Sequence, residues 1–302
     1  MSDVGFVRRN RLLLYLLALV ASWFAFTVIG EVLAGIYILV PVPSSEDYIC
    51  YNAILSWGRT MSFFLMGSIG SILLFLVFRE VVSQPPETKT AAKLKPVGEV
   101  TFIMFLSLFL SGLAMRYTGN ELHAYISLTP PSILLPITPQ ANTYFLVYFF
   151  DEVLGHKLIY LGVVGFIVSV TILQNYHGYM WSFKRTEYAL YGFIGLLFGA
   201  GIGVSSVEGQ AAFEILIFSV SSFLVMAYLL ATGRIRLTEK HQKNVRSNPF
   251  YAFSLLFLLS SIVAILACGA YFGLKPLYPF FTQPSEEYTI LQRIILYLIT
   301  LQ

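Results

Sequence analysis

The sequence predicts an all-α polytopic membrane protein, a seven-transmembrane-helix bundle with its N-terminus cytoplasmic and its C-terminus external. Three observations carry this expectation. The 302 residues are 57% hydrophobic and only 12% charged, against roughly 25% charged in a soluble domain. Several apolar runs reach the about 20 residues that a helix needs to cross a bilayer. The basic residues gather in alternate connections between those runs, as membrane orientation requires.

The first run, 11–40, has a basic flank of Arg8, Arg9 and Arg11; it is far longer than the roughly 7–15 residues of a signal-peptide core, so it reads as a span. The others are 58–82, 99–118, 143–173, 187–206, 210–232 and 249–274, most of them separated by proline-containing or charged breaks. The first and fourth exceed what a bilayer needs and would tilt or protrude. Residues 1–275 thus form the transmembrane domain. Residues 276–302 contain "SEEYTILQRIILYLITLQ", which opens like a helix with a serine followed by acids. From Tyr288 to Gln302 it is too short to span, and it reads as an external interfacial helix or as a docking element for a membrane-protein partner.

With the N-terminus inside, fourteen of the nineteen basic residues fall in cytoplasmic segments. Arg59, Arg116, Lys275 and Arg293 fall outside, and Lys157 lies within the fourth span. An odd number of spans follows, opposite in orientation to a rhodopsin-type receptor. The plasma membrane is the expected location and the lipid bilayer the first partner. The net charge of +3 is scattered over short loops, so it does not suggest a nucleic-acid surface. Two cysteines, Cys50 and Cys268, are too few for a disulfide framework or a cysteine-rich metal site.

The stretch "FFDEVLGHKLIY", 149–160, sets Asp151, Glu152, His156 and Lys157 inside an apolar run. Ionisable groups at membrane depth are costly, and they usually pair with one another or serve a function. On the expected topology the intramembrane acids Glu31, Asp151, Glu152 and Glu214 share the external side, with Glu121, His123 and Glu208 in outer loops nearby. Glu152 and His156 are four residues apart and Tyr160 continues their row, which on an α-helix is one face. Asp151 shares a neighbouring stripe with Gly155 and Gly162, where another helix can come close. Gly195, Gly199 and Gly203 recur every four residues in span five, and spans four and five are expected to pack tightly. These glycines lie within a span with no preceding strand, so they are not a phosphate loop.

Three functional readings follow. In the first, Glu152 and His156 centre a metal site, with Glu121, His123, Glu208 and Glu214 as candidate ligands or bases and Asp151 orienting His156 or a water. Zinc or another divalent metal would then activate water for hydrolysis of a lipid or amide bond. The architecture resembles seven-helix zinc hydrolases of the ceramidase and adiponectin-receptor kind, but their multi-histidine pattern is absent and the chain is not assigned to them. In the second, acid and histidine groups relay protons or cations, with Lys157 pairing an acid on another span; Gln174, Asn175 and His177 are the only polar hint of a path at the inner end. In the third, the charges are structural ion pairs, involving Lys157, Arg59 or Arg116, in a subunit or assembly factor of a larger membrane complex. A haem held between spans would want a second intramembrane histidine, and a retinal-type lysine would have to lie deeper than Lys275.

Overall fold

The computed structural model describes residues 3–32, 37–43, 50–83, 89–127, 143, 146–174, 183–231 and 248–272. The proline-rich stretch 128–140 and the C-terminal segment 276–302 lie outside the described residues. Among the described residues seven long helices form: α1 (Asp3–Val32), α2 (Trp57–Val82), α3 (Lys89–Ser127), α4 (His156–Gln174), α5 (Arg185–Glu208), α6 (Ala212–Ala231) and α7 (Pro249–Phe272). A π-helical turn, Phe149–Gly155, leads into α4. Among the described residues seven stretches are long and apolar enough to cross a membrane, as expected of a seven-helix membrane protein.

Between α1 and α2 lies a feature the hydropathy pattern does not announce. Strands β1 (Tyr37–Pro43) and β2 (Cys50–Ser56) pair antiparallel, with Tyr37 opposite Ser56 and Pro43 opposite Cys50. The expected first span of 11–40 is therefore too long: its helix ends at Val32 and its tail belongs to β1. "YILVPVP" explains this. Its β-branched residues favour a strand. Pro41 and Pro43 would break a helix interior, yet they are tolerated where a strand lies at an edge, as both strands of a hairpin do.

A second correction concerns α3, which has 39 residues and runs through Pro96. The expected span of 99–118 is only its middle. Glu121 and His123, read as loop residues, lie on its last turns, and Glu208, also read as external loop, is the final residue of α5. Apolar content marks where a helix meets lipid, but it does not show how far the helix continues into water. Glu80, Glu99 and Glu187 also lie within the membrane-length stretches, so the acids on these helices are more numerous than the four singled out from the sequence.

The chain forms two compact units, one comprising residues up to Phe78 together with Leu110–Gly155, the other Arg79–Phe109 and the chain from His156 onward. In the first, α2 binds α1 through Ser62, whose Oγ donates to the Phe26 carbonyl at 2.8 Å. It binds α3 through the Thr60 and Tyr117 hydroxyls, 2.7 Å apart, and through Phe63 stacked on the Tyr117 ring at 4.9 Å. Gly155 lets the π turn approach the α3 backbone: a Cβ there would lie 3.0 Å from the Arg116 nitrogen.

In the second unit α5 is central and α6 peripheral, with 56% of the α5 span buried against 22% for α6. The glycine row of α5 faces α7. A Cβ at Gly195 or Gly199 would strike the carbonyl oxygens of Phe253 and Phe257, and one at Gly203 would lie 2.7 Å from that of Ser261. Spans five and seven, not four and five, are thus the tightly packed pair. Small residues license close approach without naming the partner. The small stripe of span four has α3 as its partner: a Cβ at Gly162 would lie 2.7 Å from the Phe109 nitrogen. At the start of α5 the Lys184 amide donates to Glu187 Oε2 at 2.8 Å, a carboxylate cap where the helix N-terminus favours negative charge.

Candidate functional site

The π turn carries Asp151 and Glu152. In such a turn hydrogen bonds run from i to i+5, and single π turns recur at functional sites. Asp151 is buried at 1% exposure. Its Cβ lies against α3 at a position open only to glycine, since a Cβ on Gly119 would be 2.5 Å from it. The side chains of Glu152 and His123 lie outside the described residues, although their backbones are helical.

In the second unit, His156 and Tyr160 share one face of α4, with rings near parallel at 15° and centroids 6.1 Å apart; Glu152, expected to begin that row, lies in the π turn, where the α-helical four-residue spacing does not apply. His156 is buried and lies flat against Gly209, where a Cβ would meet its Cδ2 at 2.5 Å. The Tyr160 hydroxyl donates to the Ser205 carbonyl at 2.9 Å, fixing α4 to the last turn of α5. That end turns sharply into α6: Gln210 takes φ 52°, and the amides of Gly209 and Ala211 bond back to Ser205 and Ser206 at 2.9 and 2.8 Å. The left-handed residue closes the α5 C-terminus and brings Glu214 into the first turn of α6.

Glu214 there forms an ion pair with Lys157 Nζ, each group partly exposed. This is the pairing expected of Lys157 with an acid from another span. It engages Glu214 with a lysine rather than with another member of the candidate metal set. Glu121 and Glu208 are half-buried. Among the described residues no three His, Cys, Asp or Glu side chains converge as a metal site would need. Gln174 is buried at 1% exposure, and its amide has no partner among the described residues. Asn175 and His177, the rest of the expected inner polar path, lie outside them. Cys268 is a free thiol.

A cavity of about 100 Å³ lies elsewhere, in the first unit, lined by Arg59, Arg116, Tyr117, Asn120 and neighbouring groups of α1 and α2. None of the residues expected to form a site lines it. Its signal in the sequence is Arg59 and Arg116, two of the four basic residues that fall on the external side of the expected topology.

Comparison with protein-family models, with curated proteins and with solved structures finds no match to this chain.

Proposed function

We propose that this protein is a structural or assembly subunit of a larger complex in the plasma membrane, with its N-terminus cytoplasmic. Its external C-terminal stretch, Tyr288–Gln302, would serve as the docking element for a membrane-protein partner. The observation that carries this reading is the Lys157–Glu214 pair, which joins two of the intramembrane charges to each other and links α4 to α6. His156 adds support: between Gly209 and the Tyr160 ring it is packed as a core histidine. An ion pair between helices in a partly buried setting fixes which helices meet and in what register.

The test is purification of the tagged chain from its own membranes in mild detergent, with quantitative protein and metal analysis. A partner present at fixed stoichiometry, and lost when residues 285–302 are removed, is the expected result. A stoichiometric metal that disappears in Glu152→Gln and His156→Ala, without a partner, would overturn the reading in favour of the hydrolase.

A second reading, a proton-linked transporter, is favoured by Asp151, an acid buried in a π turn. Uptake into vesicles driven by a proton gradient, abolished by Asp151→Asn while the variant remains folded, would establish it. Absence of such uptake would remove it.

A further inference from the structure

The hairpin between α1 and α2 takes no part in the readings above, and its two outer edges are unlike. It lies between two membrane-length stretches, Asn10–Val28 and Gly58–Val82. Proline has no N–H, so it fits an antiparallel ladder only in the pairs that exchange no hydrogen bonds. Pro41, opposite Asn52, and Pro43, opposite Cys50, therefore mark those pairs. Pair type alternates along the ladder, so Tyr37–Ser56 and Leu39–Ile54 are of the same kind. The backbone groups of all these residues point away from the other strand. On β1 they make an outer edge that lacks its N–H at Pro41 and Pro43. On β2 they make one with every N–H present, at Cys50, Asn52, Ile54 and Ser56.

An open strand edge is a template for another strand, and proteins guard such edges with proline, charge or a bulge. β1 carries two prolines. β2, "CYNAILS", has no proline and no charge. It has no bulge either, since it pairs residue for residue with β1 from end to end. Among the described residues no third strand joins the sheet. A hairpin of two strands is only marginally stable by itself.

β2 itself identifies the occupant. Ala53 is its middle residue. A twofold rotation about Ala53 pairs β2 antiparallel with its own copy over its full length. Cys50 then stands opposite Ser56 and Asn52 opposite Ile54, so every outward N–H falls in a hydrogen-bonded pair. Ala53 faces itself in a pair of the other kind, where the Cα atoms approach to about 4.5 Å and the side chains are closest. An alanine suits that spot because its side chain is a single methyl. No like charges meet, because the strand has none. The sheet order becomes β1–β2–β2–β1, and both new outer edges are the proline-guarded ones. Assembly therefore closes at two copies.

We propose that the outer edge of β2 is a dimerisation surface whose occupant is β2 of a second copy of this chain, paired antiparallel about Ala53. Main-chain hydrogen bonds supply the attraction, as in other cases of strand addition. The surface involves neither the Lys157–Glu214 pair nor the C-terminal stretch, so it can fail while the assembly role stands.

The first experiment is cross-linking of the full-length chain in its own membranes. Ala53→Cys is introduced together with Cys50→Ser and Cys268→Ser, and mild oxidation is applied. A disulfide-linked dimer is expected, because Cα atoms about 4.5 Å apart are within disulfide range. The Cys268→Ser chain, in which Cys50 is the sole cysteine, should not link, since the two copies of Cys50 stand about 20 Å apart in this register. No link at position 53, equal linking at both positions, or a link from position 53 to a different protein overturns the proposal. The second experiment is native mass spectrometry in mild detergent. Ile54→Pro deletes an outward N–H and leaves the β1–β2 bonds in place. It should raise the dimer Kd by about tenfold or more, the effect of a lost backbone hydrogen bond and its orphaned acceptor. Leu39→Pro, on the guarded edge, should leave the Kd unchanged, and equal effects of the two variants overturn the proposal. Should Ile54→Pro not fold, the cross-link at position 53 decides.

Discussion

At the scale of single residues, the identity of a charged group matters less than what lies next to it. Lys157 and Glu214 are 57 residues apart in the sequence and adjacent in space. Removing either partner leaves a partly buried charge without its counterion. Because both groups retain some exposure, water screens the loss, and the pair contributes on the order of 1 kcal/mol rather than the several expected of a dry ion pair. Lys157→Ala, Glu214→Ala and the double variant should therefore show a coupling energy of about 1 kcal/mol in a thermodynamic cycle of detergent unfolding. Additive effects would mean that the two groups do not interact. The residue types of the pair were legible in the sequence, and so was the need for a partner, because a charge in an apolar run must be satisfied. Which acid would meet Lys157 was not legible, because that depends on the turn at Gln210 and on how α4 and α6 are rotated about their axes.

At the scale of elements, hydropathy located each described membrane-length helix but not its limits. Span one was overextended because "YILVPVP" is as apolar as a helix; only its prolines and β-branched residues separate strand from span. Span three was cut short because α3 continues in polar sequence at both ends. Small residues were read as contact faces, and they are, but periodicity says nothing about the partner. The α5 glycines meet the α7 backbone because they carry no Cβ to hold the two helices apart. Gly199→Ala would push a methyl into the Phe257 carbonyl oxygen. Overpacking of this kind costs about 1–3 kcal/mol, so this variant should unfold at distinctly lower temperature. An equivalent change at Gly269, where a Cβ meets nothing within 4 Å, should have little effect. A null result for Gly199→Ala would show that α5 and α7 are not in backbone contact.

At the scale of the whole molecule, class and span number were legible because the bilayer imposes them: few charges, runs of about 20 apolar residues and basic connections leave little alternative. Function was not legible to the same degree. The carboxylate–histidine stretch drew attention because charges are rare in apolar runs, while Arg59 and Arg116 passed as topology signals. The proposed orientation has a direct check. A fluorescent protein that matures only in the cytoplasm should be dark when fused after Gln302 and bright when fused before Met1. The reverse pattern would invert the topology.

The peripheral helix α6 carries one more implication. Its 20 residues measure about 30 Å end to end, which equals the hydrocarbon thickness of an average bilayer with nothing to spare. The Gly209–Ala211 turn ties one end tightly to α5, while Phe213, Ile217, Leu224, Val225 and Tyr228 face outward. Longer helices can absorb a thicker membrane by changing their slope; the described length of α6 leaves no surplus to do so. Over that described length, lipids with longer chains would have to thin around it, at fractions of a kcal/mol per Å of mismatch.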